Sequence, residues 1–173
     1  MNALSYSAYD VENLSDCDDT NLMVKALNSN DRDFNVGAAG TTMRFLTAFL
    51  STITGTERMK NRPIKVLVDA LNALGARIEY MEKEGYPPLR IFGSALQGGE
   101  ISLPGNVSSQ YISAILMIAP LTENGVTLHL EGAIISRPYI HITLQLMEQY
   151  GVRASWTENT IKVLPQEYKP IRF

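Results

Sequence analysis

The sequence predicts an α/β (α+β) fold built from repeated β-α-β-α-β-β units, with the helices enclosed and the sheets outside. Three observations carry that prediction. An Arg-Pro pair recurs, at Arg62-Pro63 and Arg137-Pro138, 75 positions apart. Each pair opens an apolar pattern of helical spacing that closes on a glycine, Gly75 or Gly151, 76 positions apart. Ile112, Ala114, Ile115, Leu116, Met117, Ile118 and Ala119 leave almost no polar face, and a helix apolar all round is normally enclosed. The period exceeds that of solenoid repeats, about 20–50 residues, and suits a duplicated supersecondary unit.

The elements follow in order. Asp16-Cys17-Asp18-Asp19 starts a helix running to about Leu27, with Asp16 as its cap and Asp19 at the third helical position. Residues 29–33 lead directly to Phe34 and Val36, so the hairpin expected after this helix is missing or very short. The segment 1–33 reads as an incomplete copy, and the chain as cut at its N-terminus. The next copy, about 34–98, holds a small helix start (Gly40, Thr41, Thr42), an apolar helix over 43–50 and a β-rich run over 51–54. Pro63 suits the first helical position, where no donor is needed. Ile64, Leu67, Val68, Leu71 and Leu74 recur at spacings of three and four. Gly75 suits the residue past the helix end, where φ is positive. Strands over 77–81 and 89–92 flank the turn Glu82-Lys83-Glu84-Gly85-Tyr86-Pro87-Pro88.

The last copy, about 99–165, repeats the plan. A strand over 100–103 leads to Ser108-Ser109-Gln110, an apolar helix over 111–119 and Pro120, which ends it. A β run over 126–130 precedes Arg137-Pro138 and a helix marked by Leu144, Met147 and Tyr150. Strands over 153–156 and 160–164 flank Thr157-Glu158-Asn159.

Composition narrows the function classes. With 173 residues the chain can enclose one core, and 45% hydrophobic against 19% charged residues is not a disordered composition. A net charge of −3 without a basic tail argues against a nucleic-acid surface. No apolar run approaches a membrane span, and the start lacks a basic segment followed by an apolar one. Cys17 is the single cysteine, so no disulfide forms within the chain, and the cytoplasm is the expected compartment.

The stretch 35–62 is the most informative. Small residues run straight into a helix, and Arg44 and Arg62 stand near two helix starts. Helix starts carry unpaired N–H groups, and arginine adds a planar donor fork for phosphate or carboxylate. Gly37, Gly40 and Thr41 read as a close-approach turn for an anion or as a plain helix start; the string is not a Walker loop. Arg44 in a first helical turn opposes the helix dipole, a conflict that an anionic ligand would remove. Arg58, Lys60 and Arg62 read as a solvated cluster, with Arg62 set apart by its place before Pro63. Ser108, Ser109 and Gln110 cap an apolar helix, bind a ligand, or do both. Ser136, Arg137 and Tyr139 repeat the theme. His129 and His141 lack metal-ligand spacing and read as structural, and Asp16, Asp18 and Asp19 read as helix-start residues.

Seven strings, in order along the chain, resemble the 5-enolpyruvylshikimate-3-phosphate synthase (3-phosphoshikimate 1-carboxyvinyltransferase) family. They span 13–19 (NLSDCDD), 37–44 (GAAGTTMR), 57–64 (ERMKNRPI), 67–71 (LVDAL), 86–91 (YPPLRI), 107–110 (VSSQ) and 136–140 (SRPYI). The resemblance implies an enolpyruvyl transferase-like fold and places 1–173 as a truncated N-terminal domain. It implies an enzyme that moves the enolpyruvyl group of phosphoenolpyruvate onto the 5-hydroxyl of shikimate 3-phosphate, without cofactor or metal. By position, Ser108, Ser109, Gln110, Ser136 and Tyr139 would contact shikimate 3-phosphate. Gly40 and Arg62 would contact phosphoenolpyruvate, with Gln110 near both. Gly40 would tolerate no β-carbon, and Thr41 and Arg44 would shape the helix start.

Two residues depart from the family pattern. Ala38 stands where asparagine is common, and Phe45 where proline is common. The family's N-terminal lysine belongs to a segment before Met1, and its acid/base aspartate and glutamate to a C-terminal domain. The resemblance therefore implies a chain that partners that domain, supplies no catalytic residue of its own and is inactive alone. A transferase acting on a UDP-linked amino sugar shares the fold, but its loop cysteine context is absent around Cys17. A noncatalytic binding or structural α/β domain is the other alternative.

Overall fold

The computed structural model describes Leu4 and residues 13–29, 33–47 and 52–171. The end of the helix expected over 43–50 and the start of the β run over 51–54 lie outside the described residues, as does most of 1–12. Helix α1 (Asp18–Asn28) leads to β1 (Asp33–Asn35), α2 (Gly40–Leu46), β2 (Thr52–Thr54), the single turn α3 (Glu57–Lys60), α4 (Lys65–Ala73), β3 (Arg77–Tyr80) and β4 (Leu89–Phe92). Then come β5 (Gly99–Pro104), α5 (Ser109–Ile118), a 3-10 turn (Ala119–Leu121), β6 (Val126–Glu131), α6 (Arg137–Gln149), β7 (Ala154–Thr157) and β8 (Thr160–Val163).

Two four-stranded sheets have the same plan, β1-β2-β4-β3 and β5-β6-β8-β7. The first two strands of each run parallel and the remaining pairings are antiparallel. A parallel pair needs a crossover, supplied by α2 in one sheet and α5 in the other. The β-α-β-α-β-β order thus occurs twice, with α3 as a turn that the sequence pattern did not signal.

Each sheet buries one face. In β6 Val126, Leu128 and Leu130 point to the helices, and Ile101, Leu103, Ile161 and Val163 of the adjoining strands join them. On the other face His129 Nε2 meets Glu100 Oε1 at 2.6 Å and Nδ1 meets Thr160 Oγ1 at 3.0 Å, a structural histidine. Helix α5 lies inside, whereas α1 buries only Ala26 and α6 only Ile140, Thr143 and Met147. In α5 every residue from Tyr111 to Leu116, and Ile118, is buried, and the helix packs against α2, α4 and α6. Ser113 and Thr143 satisfy one another across α5 and α6 at 2.6 Å, so this apolar contact holds no orphan hydroxyl.

The helix ends match the expected punctuation. Gly75 (φ +101°) and Gly151 (φ +84°) follow α4 and α6. Ala76 N donates to Leu71 O and Val152 N to Met147 O, each at 2.9 Å, the six-to-one bond of a Schellman end. Two starts differ. Helix α4 begins at Lys65 rather than Pro63, because Ile64 N donates to Gly85 O of the β3–β4 turn (2.8 Å) and is drawn out of the helix. At α1 the cap position is Cys17, not Asp16, whose carboxylate accepts from Asn21 Nδ2 at 2.9 Å.

The central position of α5 sets a stability expectation. Leu116 is 0% exposed, and Leu116→Ala should cost about 2–5 kcal/mol through lost transfer energy and a cavity. Leu146, 39% exposed on α6, should lose about 0.5 kcal/mol or less. Urea unfolding checks this: the midpoint falls for the first variant with the slope unchanged.

Candidate functional site

In both sheets one backbone link joins the two loops that follow the parallel strands. Val36 N donates to Thr54 O (3.0 Å) and Thr56 N to Gly37 O (2.9 Å). Gly105 N donates to Glu131 O (2.7 Å) and Ile135 N to Gly105 O (3.3 Å). Glycine makes the approach possible: a β-carbon on Gly55 would lie 2.7 Å from Gly37 O, and one on Gly105 2.9 Å from Ala133 O. The starts of α2 and α5 follow β1 and β5, and the starts of α4 and α6 follow β2 and β6. Ligands of α/β sheets sit at this C-terminal edge of parallel strands. Gly40, Thr41, Arg62, Ser108, Ser109, Gln110, Ser136 and Tyr139 lie at these four starts, whereas Arg44, expected in a first turn, lies in the last turn of α2.

The start of α2 is already capped. Asp19 Oδ1 accepts from Thr42 N at 3.0 Å, and Thr42 Oγ1 donates to Asp19 O at 2.7 Å. Asp19 therefore caps the neighbouring helix rather than its own, a role that no local pattern reveals. With a carboxylate at that start, attraction for an anion falls on the arginines.

The cations between β2 and α4 divide clearly. Lys60 pairs with Glu82 (2.8 Å) and Glu57 (3.4 Å), and Lys65 with Glu84 (2.8 Å) and Asp69 (3.4 Å). The hydrogen bonds donated to Glu82 and Glu84 hold both ammonium groups above their ordinary pKa. Exposed Arg58 and half-buried Arg62 in this group, like Arg44, have no carboxylate partner among the described residues. Arg62 is half-buried and lies over Gly40, where a β-carbon would collide with its Nη1. The resemblance implied that such a carbon would crowd a ligand; here it first meets the arginine. Gly40, Met43, Arg44, Met59, Arg62, Pro63, Ile64 and Pro87 line a small open depression at this point.

Arg44 turns toward α5. Its Nη1 donates to Gln110 Oε1, and Gln110 Nε2 donates to Thr41 Oγ1 at 3.0 Å. The guanidinium lies 5.4 Å from the centroid of the Tyr111 ring. A protein amide and a ring face lie against the cation in this helix. Gly40, Thr41, Arg44, Arg62 and Gln110 are brought together by these contacts. Ser108 is the cap position of α5 and Ser109 its first residue. Ser136 is the cap position of α6, beside the Ile135–Gly105 link. Tyr139 is 65% exposed on α6. Among the described residues, no hydrogen bond joins Ser108, Ser109, Ser136 or Tyr139 to Arg62 or Gln110.

Away from these starts, His141 packs on Trp156 with ring centroids 4.5 Å apart. Cys17 is exposed and meets Thr20 Oγ1 at 3.2 Å, the contact that chiefly lowers its thiol pKa. Among the described residues, no group of three or more His, Cys, Asp or Glu side chains is placed to hold a metal ion. None of their helices is long and apolar enough to cross a membrane.

The chain is similar to known proteins over its whole length. A 3-phosphoshikimate 1-carboxyvinyltransferase of Bacteroides fragilis (strain YCH46) is 57% identical over 180 residues, covering 100% of this chain and 44% of that protein. One of Vibrio cholerae serotype O1 (strain M66-2) is 51% identical over 124 residues, covering 68% of this chain and 29% of that protein. The chain thus spans less than half the length of these relatives. A structure of EPSP synthase from Acinetobacter baumannii superposes with a TM-score of 0.70 at 24% identity, over 82% of this chain and 32% of that one, which supports the fold. The sequence model of EPSP synthase, 3-phosphoshikimate 1-carboxyvinyltransferase, matches residues 7–172, and the chain belongs to that family.

Proposed function

We propose that this chain supplies one wall of a site that transfers the enolpyruvyl group of phosphoenolpyruvate to the 5-hydroxyl of shikimate 3-phosphate, on the route to chorismate. The hydroxyl oxygen gives its proton to a base and bonds to C2 of phosphoenolpyruvate while C3 takes a proton from an acid, so that over the whole reaction the hydroxyl's proton leaves with phosphate. Phosphate then leaves C2, and C3 returns the proton. No cofactor or metal enters. Gly40 and Arg62 face phosphoenolpyruvate. Ser108, Ser109, Gln110, Ser136 and Tyr139 face shikimate 3-phosphate, while Thr41 and Arg44 hold the helix starts. We assign 1–33, 34–98 and 99–165 as one partial and two full units, with a second domain of the same enzyme as partner and the cytoplasm as compartment.

The observation that carries this reading is the unequal treatment of neighbouring cations: Lys60 and Lys65 are matched by carboxylates, whereas Arg62 lies over a glycine at a helix start. A half-buried guanidinium fork without a carboxylate suits a phosphate or carboxylate ligand. Calorimetric titration of the chain with shikimate 3-phosphate, phosphoenolpyruvate and UDP-N-acetylglucosamine tests it. Heat from the first two alone is the expected result. Binding of the UDP-sugar alone would replace the assignment with the amino-sugar transferase, and no binding would favour a structural domain.

A further inference from the structure

We propose that Tyr111 is a positioning residue for Arg62, acting through the carbonyl of Pro63. The inference rests on the assignment of Arg62 to the anion site. Tyr111 lies in the first turn of α5 and is 8% exposed. Its hydroxyl donates to Pro63 O at 2.6 Å. Pro63 follows Arg62 directly and has no N–H with which to anchor the segment. That segment lies between α3 and α4, outside both helices. Its other backbone ties include Arg62 N to Met59 O (2.9 Å), Ile64 N to Gly85 O (2.8 Å), and Leu67 N and Val68 N to Ile64 O (3.1 Å each). The phenol therefore ties the carbonyl of the residue after Arg62 to α5.

The same ring lies beneath Arg44, which donates to Gln110 Oε1. Tyr111 is thus held between the two groups whose separation a small anionic ligand would read, the Arg62 fork and the Gln110 amide. The position is specific in its chemistry. Phenylalanine would fill the same space and keep the ring under Arg44, but would leave Pro63 O without its donor. Packing alone predicts no effect from Tyr111→Phe; positioning predicts a local one at Arg62.

Two readouts on the full chain test this. The first needs no ligand: the heteronuclear NOE of Arg62 Nε–H. It should fall in Tyr111→Phe, while that of exposed Arg153 stays constant. The second is a double-mutant cycle on phosphoenolpyruvate affinity. Tyr111→Phe should weaken binding roughly tenfold when Arg62 is present, as loss of one well-placed hydrogen bond allows, and less than about twofold in the Arg62→Ala background. Ser113→Ala removes another buried hydroxyl from α5 and should leave Arg62 unaffected. An unchanged Arg62 signal in Tyr111→Phe overturns the proposal. So does an equal affinity loss in both backgrounds, or an equal loss of Arg62 order in Ser113→Ala. If the native chain binds no phosphoenolpyruvate, the functional reading fails, and the NOE alone decides the role of Tyr111.

Discussion

Arg62→Ala is expected to weaken phosphoenolpyruvate binding by roughly tenfold to a hundredfold, the range for losing a charge-assisted hydrogen bond of about 1.5–3 kcal/mol. Lys60→Ala, two residues away, should leave affinity within about twofold, because its charge is already answered by Glu82 and Glu57 and exposed pairs contribute little. Gly40→Ala should resemble Arg62→Ala. The added carbon meets the end of the arginine side chain, which can move aside. The fold then survives while the guanidinium is displaced. A different glycine shows the contrast. Gly125 has φ +71°, and a β-carbon there would run into Val163 O of the backbone, so Gly125→Ala should lower stability instead. Calorimetry paired with far-ultraviolet dichroism separates the two outcomes. Equal phosphoenolpyruvate binding by Arg62→Ala and the native chain would remove Arg62 from the site.

Much of the fold was legible because its signals are local. The helix end at Gly75 needs only a left-handed residue and an apolar partner, and both stand within six positions in the sequence. The enclosure of α5 follows from its having no polar side chain after Ser113. What escaped depends on partners distant in sequence. Asp19 caps α2 across 23 positions, and the start of α4 is delayed by a bond to Gly85 in a later turn. Tyr111 read as one more large side chain in an apolar helix, since nothing local points its hydroxyl to Pro63, 48 positions earlier.

The candidate site divides in the same way. Residue types at helix starts identified Gly40, Arg62 and Ser108-Ser109-Gln110. They could not show that Arg44 turns to Gln110 rather than outward. The aspartate cluster gave the right class of role, helix capping, but the wrong helix for Asp19. Arg62 stood apart in the sequence by its place before Pro63, but the carboxylate partners of Lys60 and Lys65, Glu82 and Glu84 on the β3–β4 turn, could not be read there.

Mixed with phosphoenolpyruvate and shikimate 3-phosphate, the 173-residue chain is expected to release no phosphate above background. Addition and elimination each move a proton at C3, so a base and an acid must stand within hydrogen-bond reach of that carbon. Several carboxylates near the helix starts are engaged, although exposed Glu131 at the end of β6 has no partner among the described residues. Asp19 caps Thr42, and Glu82 and Glu84 are paired with lysines. His129 lies on the outer face of its sheet and His141 against Trp156. Absent general acid–base catalysis costs roughly 100–10,000-fold. A missing charge-stabilising donor costs about 100–1,000-fold more, and a site with one wall does not exclude water. The remaining groups would come from the portion of the enzyme that this chain does not cover, since it matches 44% of the Bacteroides fragilis relative. A phosphate-release assay should run the chain beside that full-length relative. Retained binding of shikimate 3-phosphate without turnover is the expected pair of results, because five of its proposed contacts lie on this wall. Turnover near the rate of the relative would mean that a proton-transfer group lies within these residues, and the division of labour proposed here would fall.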